Sequence, residues 1–339
     1  MDIRPALPVS FDRAYGVFVG QAAGDALGAP TENLSRQEIV RRWGWVDSFL
    51  SDDPAGTDDT EYAVLTAWNV LKHGKDLSSN DVADSWRHLL LTQEDDFISG
   101  GFSEMGALAN LKRGLNPPQC GNDHYEPFSD GAAMRVPPIG LFCAGDPSLA
   151  AKLATEDAQV SHSRDGIDCA RAVAAGVSVA LVTDRWEDVH VAALEQIPKT
   201  SWTWRMIHRA VDIGRTHQNI AAAVDALCDA LIISHYPWSD VGPEATAFAF
   251  GVLAAARGDY VNSVLAGVNA GRDSDTIAAI AGAMAGGLNG ADAVPEAWKT
   301  AVNIVRGDCI RATAGVRLDE LATRFAVNED QQGEKADEP

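Results

Sequence analysis

The chain has little cysteine and nothing that pairs it. Five cysteines (Cys120, Cys143, Cys169, Cys228 and Cys309) are scattered through 339 residues without a CxxC pair, so neither a disulfide framework nor a thiolate zinc site is expected. No apolar run reaches the ~18 residues a membrane span needs, and Met1-Asp-Ile-Arg-Pro-Ala-Leu-Pro8 lacks the apolar core of a signal peptide. The expectation is a cytoplasmic protein without a membrane partner. Positive charge is also scarce: 27 Lys and Arg stand against 48 Asp and Glu, a formal net charge of −21. Such a surface repels phosphates, so no nucleic-acid partner is expected. GxGxxG after a strand, GxxxxGK[ST], HExxH and GxSxG are all missing. Their absence leaves no signature of a dinucleotide oxidoreductase, P-loop NTPase, zinc protease or serine hydrolase.

Hairpin dipeptides and alternating strands are nearly absent too, whereas helical periodicity is abundant. Apolar residues make up 46% of the chain, enough for a large core. Phe11 to Gly28 reads as a helix whose Gly16, Gly20 and Gly24 share one face, where a missing Cβ admits another backbone. Pro30 should stop it and project Glu32 from a loop. Val64, Leu65, Trp68 and Leu71 mark a second helix; two more are expected between Ser78 and Pro118, around the loop 94–102. Asn116 to Ser129 is too rich in turn residues for regular structure. Gly166 to Val182 is apolar enough for a bundle centre. Helices are also expected within 184–233, over 245–256, around Val261 to Val268 with Gly271 as C-cap, from Ile277 until Pro295 ends that region, and within 301–325. The fold expected is all-α, a single multi-helix bundle over residues 1–327, followed by an acidic disordered tail over 328–339.

Two oxygen-rich clusters open helices: Thr57-Asp-Asp-Thr-Glu61 and Asp273-Ser-Asp-Thr276. Taken singly, each is a helix start, because Asp and Thr cap free N–H groups, and Asp58 and Glu61 have capping-box spacing. Taken together they supply hard oxygens suited to Mg²⁺ or Mn²⁺. Packed carboxylates without a cation would raise one another's pKa values, so a buried convergence calls for metal. His162 stands at the entrance of the apolar helix, and Arg135 can meet an anion or tie down a loop.

Gly24-Asp-Ala-Leu-Gly-Ala-Pro-Thr-Glu32, Thr57-Asp-Asp-Thr60, Asp130-Gly-Ala-Ala-Met-Arg135, Ser161-His162 and Asp273-Ser-Asp-Thr-Ile-Ala278, in that order, resemble the motifs of the ADP-ribosylglycohydrolase family. The resemblance implies an all-α fold with a cleft holding two divalent cations, Mg²⁺ or Mn²⁺. Thr57, Asp58, Asp59, Asp273, Asp275 and Thr276 would be ligands, with Asp275 as the bridge. It implies hydrolysis at the ribose anomeric carbon of small-molecule or protein-linked ADP-ribosyl substrates. Glu32 would serve at the metal centre or as acid/base, with Asp95 or Asp96 as other sources of the catalytic carboxylate. The substrate cleft would involve Asp130, Gly131, Ala132, Met134 and His162. Two departures stand out: Gly271-Arg-Asp273 replaces Gly-Gly-Asp, and Ser129-Asp-Gly-Ala132 replaces Gly-Asn-Gly-Ser. Arg272 brings a cation beside the site and Asp130 an anion where a diphosphate would lie. Hydrolysis of another riboside or related N-glycoside is therefore kept as an alternative, as is a non-catalytic scaffold. A monomer or small homo-oligomer is expected.

Overall fold

A computed structural model describes residues 7–92 and 96–326. Asp95 and the tail 328–339 lie outside the described residues. Within them the protein is all-α: no strand exceeds an isolated bridge, the three bridges being Phe97 with Ile310, Ser129 with Val241 and Ile304 with Arg317. Among the described residues no helix is long and apolar enough to cross a membrane.

The centre is an antiparallel pair, Phe11–Gly28 against Ser274–Asn289. Both helices carry small residues on the shared face, so their backbones meet. A Cβ on Gly16 would strike the Gly286 carbonyl, one on Gly20 the Gly282 carbonyl, and one on Gly28 the backbone of Ser274 and Asp275. The four-residue glycine spacing thus fixes the register of the pair. Its last step sets the Asp273–Thr276 segment beside the end of the first helix. There the chain continues as the 3₁₀ turn Ala29–Thr31, and the Thr31 hydroxyl contacts the Ser274 hydroxyl at 2.9 Å. Pro30 therefore tightens the helix end instead of releasing it into a loop, and Glu32 follows the turn directly.

The expected apolar helix is Asp165–Ala180, buried against Pro137–Phe142, Pro147–Ala158 and Trp186–Glu195. Some boundaries differ from the sequence reading. Gln119–Asn122 forms one helical turn within the segment read as irregular. The Ser274–Asn289 helix ends at Gly290, whose φ is +79°, well before Pro295. Between Glu296–Val302 and Leu318–Thr323 the chain is mostly irregular. Its backbone bonds outside itself: the Glu61 carboxylate accepts N–H bonds from Asp308 (2.8 Å), Cys309 (3.1 Å) and Ile310. Two helices not singled out from sequence, Arg36–Trp43 and Pro147–Ala158, start at conventional caps, Ser35 and Asp146.

Candidate functional site

Neither acidic cluster caps its helix. Thr57 occupies the N-cap position of Asp58–His73, but no side chain there bonds a first-turn N–H from within the segment, and the Glu61 carboxylate is turned to the 308–310 backbone. Asp25, from the first helix, does the capping. Its carboxylate accepts from the N–H groups of Thr57 (2.7 Å) and Thr60 (3.1 Å) and from both threonine hydroxyls (2.8 and 2.5 Å). Asp273 likewise makes no side-chain cap to Ser274–Asn289. The capping reading of both clusters is thereby corrected, and their carboxylates are directed elsewhere.

They meet around a cavity of about 110 Å³ whose acidic lining is Glu32, Asp58, Asp59, Glu104, Asp130, Asp240, Asp273 and Asp275. Carboxylate oxygens of Asp25, Asp59 and Asp275 lie within 4.8 Å of one another, as do those of Glu32, Asp273 and Asp275. Asp275 belongs to both groups and so stands between them. The Thr276 hydroxyl donates to Asp59 Oδ2 at 3.3 Å. Asp59 Oδ1, Asp275 Oδ1 and Asp130 Oδ2 are buried without a hydrogen-bond partner, a costly state for oxygens taken out of water.

The electrostatics follow from the geometry. Burial, then the charges of Glu104 and Asp25, push the Asp58 carboxyl up to about 7. Burial takes Asp25 to about 6 against the four bonds that lower it. Asp59 is raised well above the ordinary range by burial and by Asp25, Asp275 and Asp58; Asp275 by burial, Asp273 and Glu32; Asp273 by burial and Asp130. Burial also raises Asp130, although its side chain is hydrogen-bonded to Asp273. So many like charges in one small space favour a bound cation over an empty ionised cluster.

The remaining residues named from sequence have definite places. Gly131 and Met134 line the cavity, whereas Ala132 is buried and does not. Thr57 is not among the cavity's lining residues and donates its N–H and hydroxyl to Asp25. His162 is buried behind the loop, between Ser129 Oγ (2.9 Å from Nε2) and Ser161 Oγ (2.7 Å from Nδ1). Burial and then the Arg135 charge hold its pKa well below the ordinary value, so it is neutral. Asp96 is not among the cavity's lining residues; its carbonyl accepts the Arg311 N–H beside the Phe97–Ile310 bridge. The Arg272 guanidinium turns to Glu244 Oε1 (2.6 Å) and the Trp238 carbonyl (2.9 Å). Arg135 is fully buried and ties the loop down. It pairs with Asp157 (2.6 Å) and Glu104 (3.1 Å), donates to the Gly131 carbonyl and lies over the Trp86 ring.

Asp25, Glu104 and Asp240 were not singled out from sequence. Asp25 had a signal, since a carboxylate amid the small apolar residues of a buried helix needs a polar partner. Glu104 and Asp240 had none, because only the fold brings them to the cavity: Glu104 comes from the helix Phe102–Lys112, held by Arg135, and a backbone bond from Asp130 N–H to the Asp240 carbonyl (3.2 Å) joins the loops of those two aspartates.

Comparison with known proteins agrees with this architecture. The ADP-ribosylglycohydrolase family matches residues 7–333. An uncharacterized protein of Archaeoglobus fulgidus is 32% identical over 290 residues, covering 83% of this chain and 88% of that protein. The ADP-ribosyl-[dinitrogen reductase] glycohydrolase of Rhodospirillum rubrum is 26% identical, covering 86% and 90% respectively. Among solved structures, an ADP-ribosylglycohydrolase-related protein complex shares the fold with a TM-score of 0.64 and 23% identity, over 93% of this chain and 97% of that one. This chain belongs to the ADP-ribosylglycohydrolase family.

Proposed function

We propose that the protein is a metal-dependent glycosidase that cleaves the bond at the ribose anomeric carbon of ADP-ribosylated substrates and releases ADP-ribose. The observation that carries this reading is the convergence of Asp25, Asp59 and Asp275 with Glu32 and Asp273 around one cavity, with oxygens left unpartnered. An all-oxygen donor set suits hard divalent cations, and the proposed ligands for Mg²⁺ or Mn²⁺ are Thr57, Asp58, Asp59, Asp273, Asp275 and Thr276. Bound there, such ions would supply the charge that neutralises the cluster and lowers the pKa of water near the anomeric carbon. Glu32 is the proposed general acid for the leaving atom; burial pushes its carboxyl above the usual carboxylate range, the direction that role needs. A carboxylate of the cluster takes the proton of the attacking water. Met134 and Gly131 form the wall against which the ribose is set. The protein is proposed to work in the cytoplasm.

A second reading is favoured by Asp130, which lines a cavity with no basic residue in its lining and has one carboxylate oxygen without a partner. A diphosphate is disfavoured there, so the substrate of that reading is a riboside or related N-glycoside without one. A single comparison separates the two. Metal-stripped protein is reloaded with Mg²⁺ or Mn²⁺ and offered ADP-ribosyl-arginine, an ADP-ribosyl-serine peptide, O-acetyl-ADP-ribose and simple ribosides, with release followed by mass spectrometry. Metal-dependent release of ADP-ribose is expected, and turnover of the simple ribosides alone would overturn the first reading.

A further inference from the structure

A line of hydrogen bonds runs from His162 to the acidic cavity through buried groups. The Ser161 hydroxyl lies 2.7 Å from His162 Nδ1, and Ser129 Oγ lies 2.9 Å from Nε2. Ser129 Oγ donates to Ser103 Oγ at 2.8 Å, and Ser103 Oγ donates to Glu104 Oε2 at 2.6 Å. No residue of the line is more than 2% exposed. Its direction follows from counting hydrogens, because an ionised carboxylate only accepts and a hydroxyl has one hydrogen to give. The Ser103 hydrogen goes to Glu104 and the Ser129 hydrogen to Ser103, so Ser129 Oγ is left to accept from His162 Nε2. A neutral imidazole carries a single N–H. That hydrogen is therefore on Nε2, and Nδ1 accepts from Ser161. Every donor in the line points toward Glu104.

Both ends of the line are locked. A Cβ on Gly166 would strike the His162 ring, so that helix start leaves the imidazole no room to turn. At the other end, Arg135 Nη1 meets Glu104 Oε1 at 3.1 Å. A Cβ on Gly131 would strike Oε1 and one on Gly101 would strike Oε2, so two glycine backbones close over the carboxylate. Glu104 nevertheless lines the cavity. A carboxylate offers about four lone-pair sites, and with Arg135 on one oxygen and Ser103 on the other, sites remain for a group in the cavity. Glu104 belongs to neither set of oxygens placed to hold a cation. Among the described lining carboxylates it alone is paired with an arginine, the partner a buried charge needs.

We infer that Glu104 is the carboxylate that takes the proton of the attacking water, and that His162 is the positioning residue that aims it through Ser129 and Ser103. As the water oxygen bonds to the anomeric carbon, its proton passes to Glu104. The leaving atom departs with the electron pair of its bond and receives the Glu32 proton. The base assignment rests on the glycosidase reading, whereas the direction of the hydrogen-bond line does not. Long-range proton–nitrogen correlation spectra of the Mg²⁺-loaded protein, with His162→Gln to assign the signal, should show His162 as a neutral ring protonated at Nε2. Protonation at Nδ1 overturns the line. Kinetics on the substrate found to turn over test the rest. Glu104→Gln should lower kcat at least ~100-fold, the low end of what a general base contributes, with KM and Mg²⁺ affinity nearly unchanged. A smaller loss overturns the base. His162→Ala should lower kcat ~10-fold at unchanged KM, through misplacement of Glu104. His162→Gln, whose amide N–H can reach Ser129, should recover most of that loss. Recovery no better than in His162→Ala overturns the positioning role. Absence of turnover in the wild-type protein would instead overturn the glycosidase reading and the base with it, while the imidazole spectrum still decides the direction of the line.

Discussion

At the scale of single residues, the site depends on carboxylates doing different jobs. Asp275 belongs to both groups of converging oxygens, so it is the substitution with the most specific consequence. Asp275→Asn should abolish metal-dependent turnover with helix content intact by circular dichroism; full activity would sink the proposed mechanism. Asp25 has a double role, since it accepts four bonds from Thr57 and Thr60 while its oxygens approach Asp59 and Asp275. In Asp25→Asn the amide nitrogen cannot accept, leaving threonine donors unmatched. A loss of about 1–3 kcal/mol is expected in denaturant titration, together with weaker Mg²⁺ binding. Arg135 is the third case. Its removal leaves Glu104 and Asp157 buried without their cation, so Arg135→Ala should cost about 3–5 kcal/mol, read by the same titration.

At the scale of elements, the close pairing of Phe11–Gly28 with Ser274–Asn289 sets the site. Stepwise backbone contact from Gly16 to Gly28 delivers Asp273–Thr276 to the end of the first helix, where Asp25 and Glu32 reside. Gly20→Ala would put a methyl on the Gly282 carbonyl, and neither helix can yield without losing register. Overpacking of this kind costs about 1–3 kcal/mol. Metal affinity should drop with it, because the two halves of the cluster ride on the two helices. Unchanged Mg²⁺ affinity in that variant would mean that the pairing does not set the ligand geometry. The glycine face and both acidic clusters were legible in the sequence as periodicity and as carboxylate spacing. That their carboxylates leave the capping positions was not legible, because Asp25 supplies the competing bonds from another helix.

At the scale of the whole molecule, the acidic centre ties the stability of the fold to pH, and the proposed metal would change that dependence. Carboxyls raised in the folded state, Asp58 to about 7 and Asp25 to about 6, favour the protonated form more than the unfolded chain does. Their contribution to the metal-free protein is present below the ordinary Asp value near ~3.9 and is lost as pH rises through about 6 to 7. The Tm of chelated protein should therefore fall between pH 5 and pH 8, and Mg²⁺ should raise it more at pH 8 than at pH 5. A metal-free Tm flat across this range would contradict the buried charge cluster.

The sequence by itself determined the helical class, the glycine face and the motifs of the family, because periodicity, small-residue spacing and short carboxylate runs are local properties. The tertiary structure decided what those motifs do to one another. It turned Glu61 to the 308–310 backbone, gave the capping of Asp58–His73 to Asp25, buried His162 behind Ser129, and committed Arg272 to Glu244 and Trp238. Each of these outcomes is a competition among partners distant in sequence for the same polar atoms. Such a competition is settled only when the helices have packed.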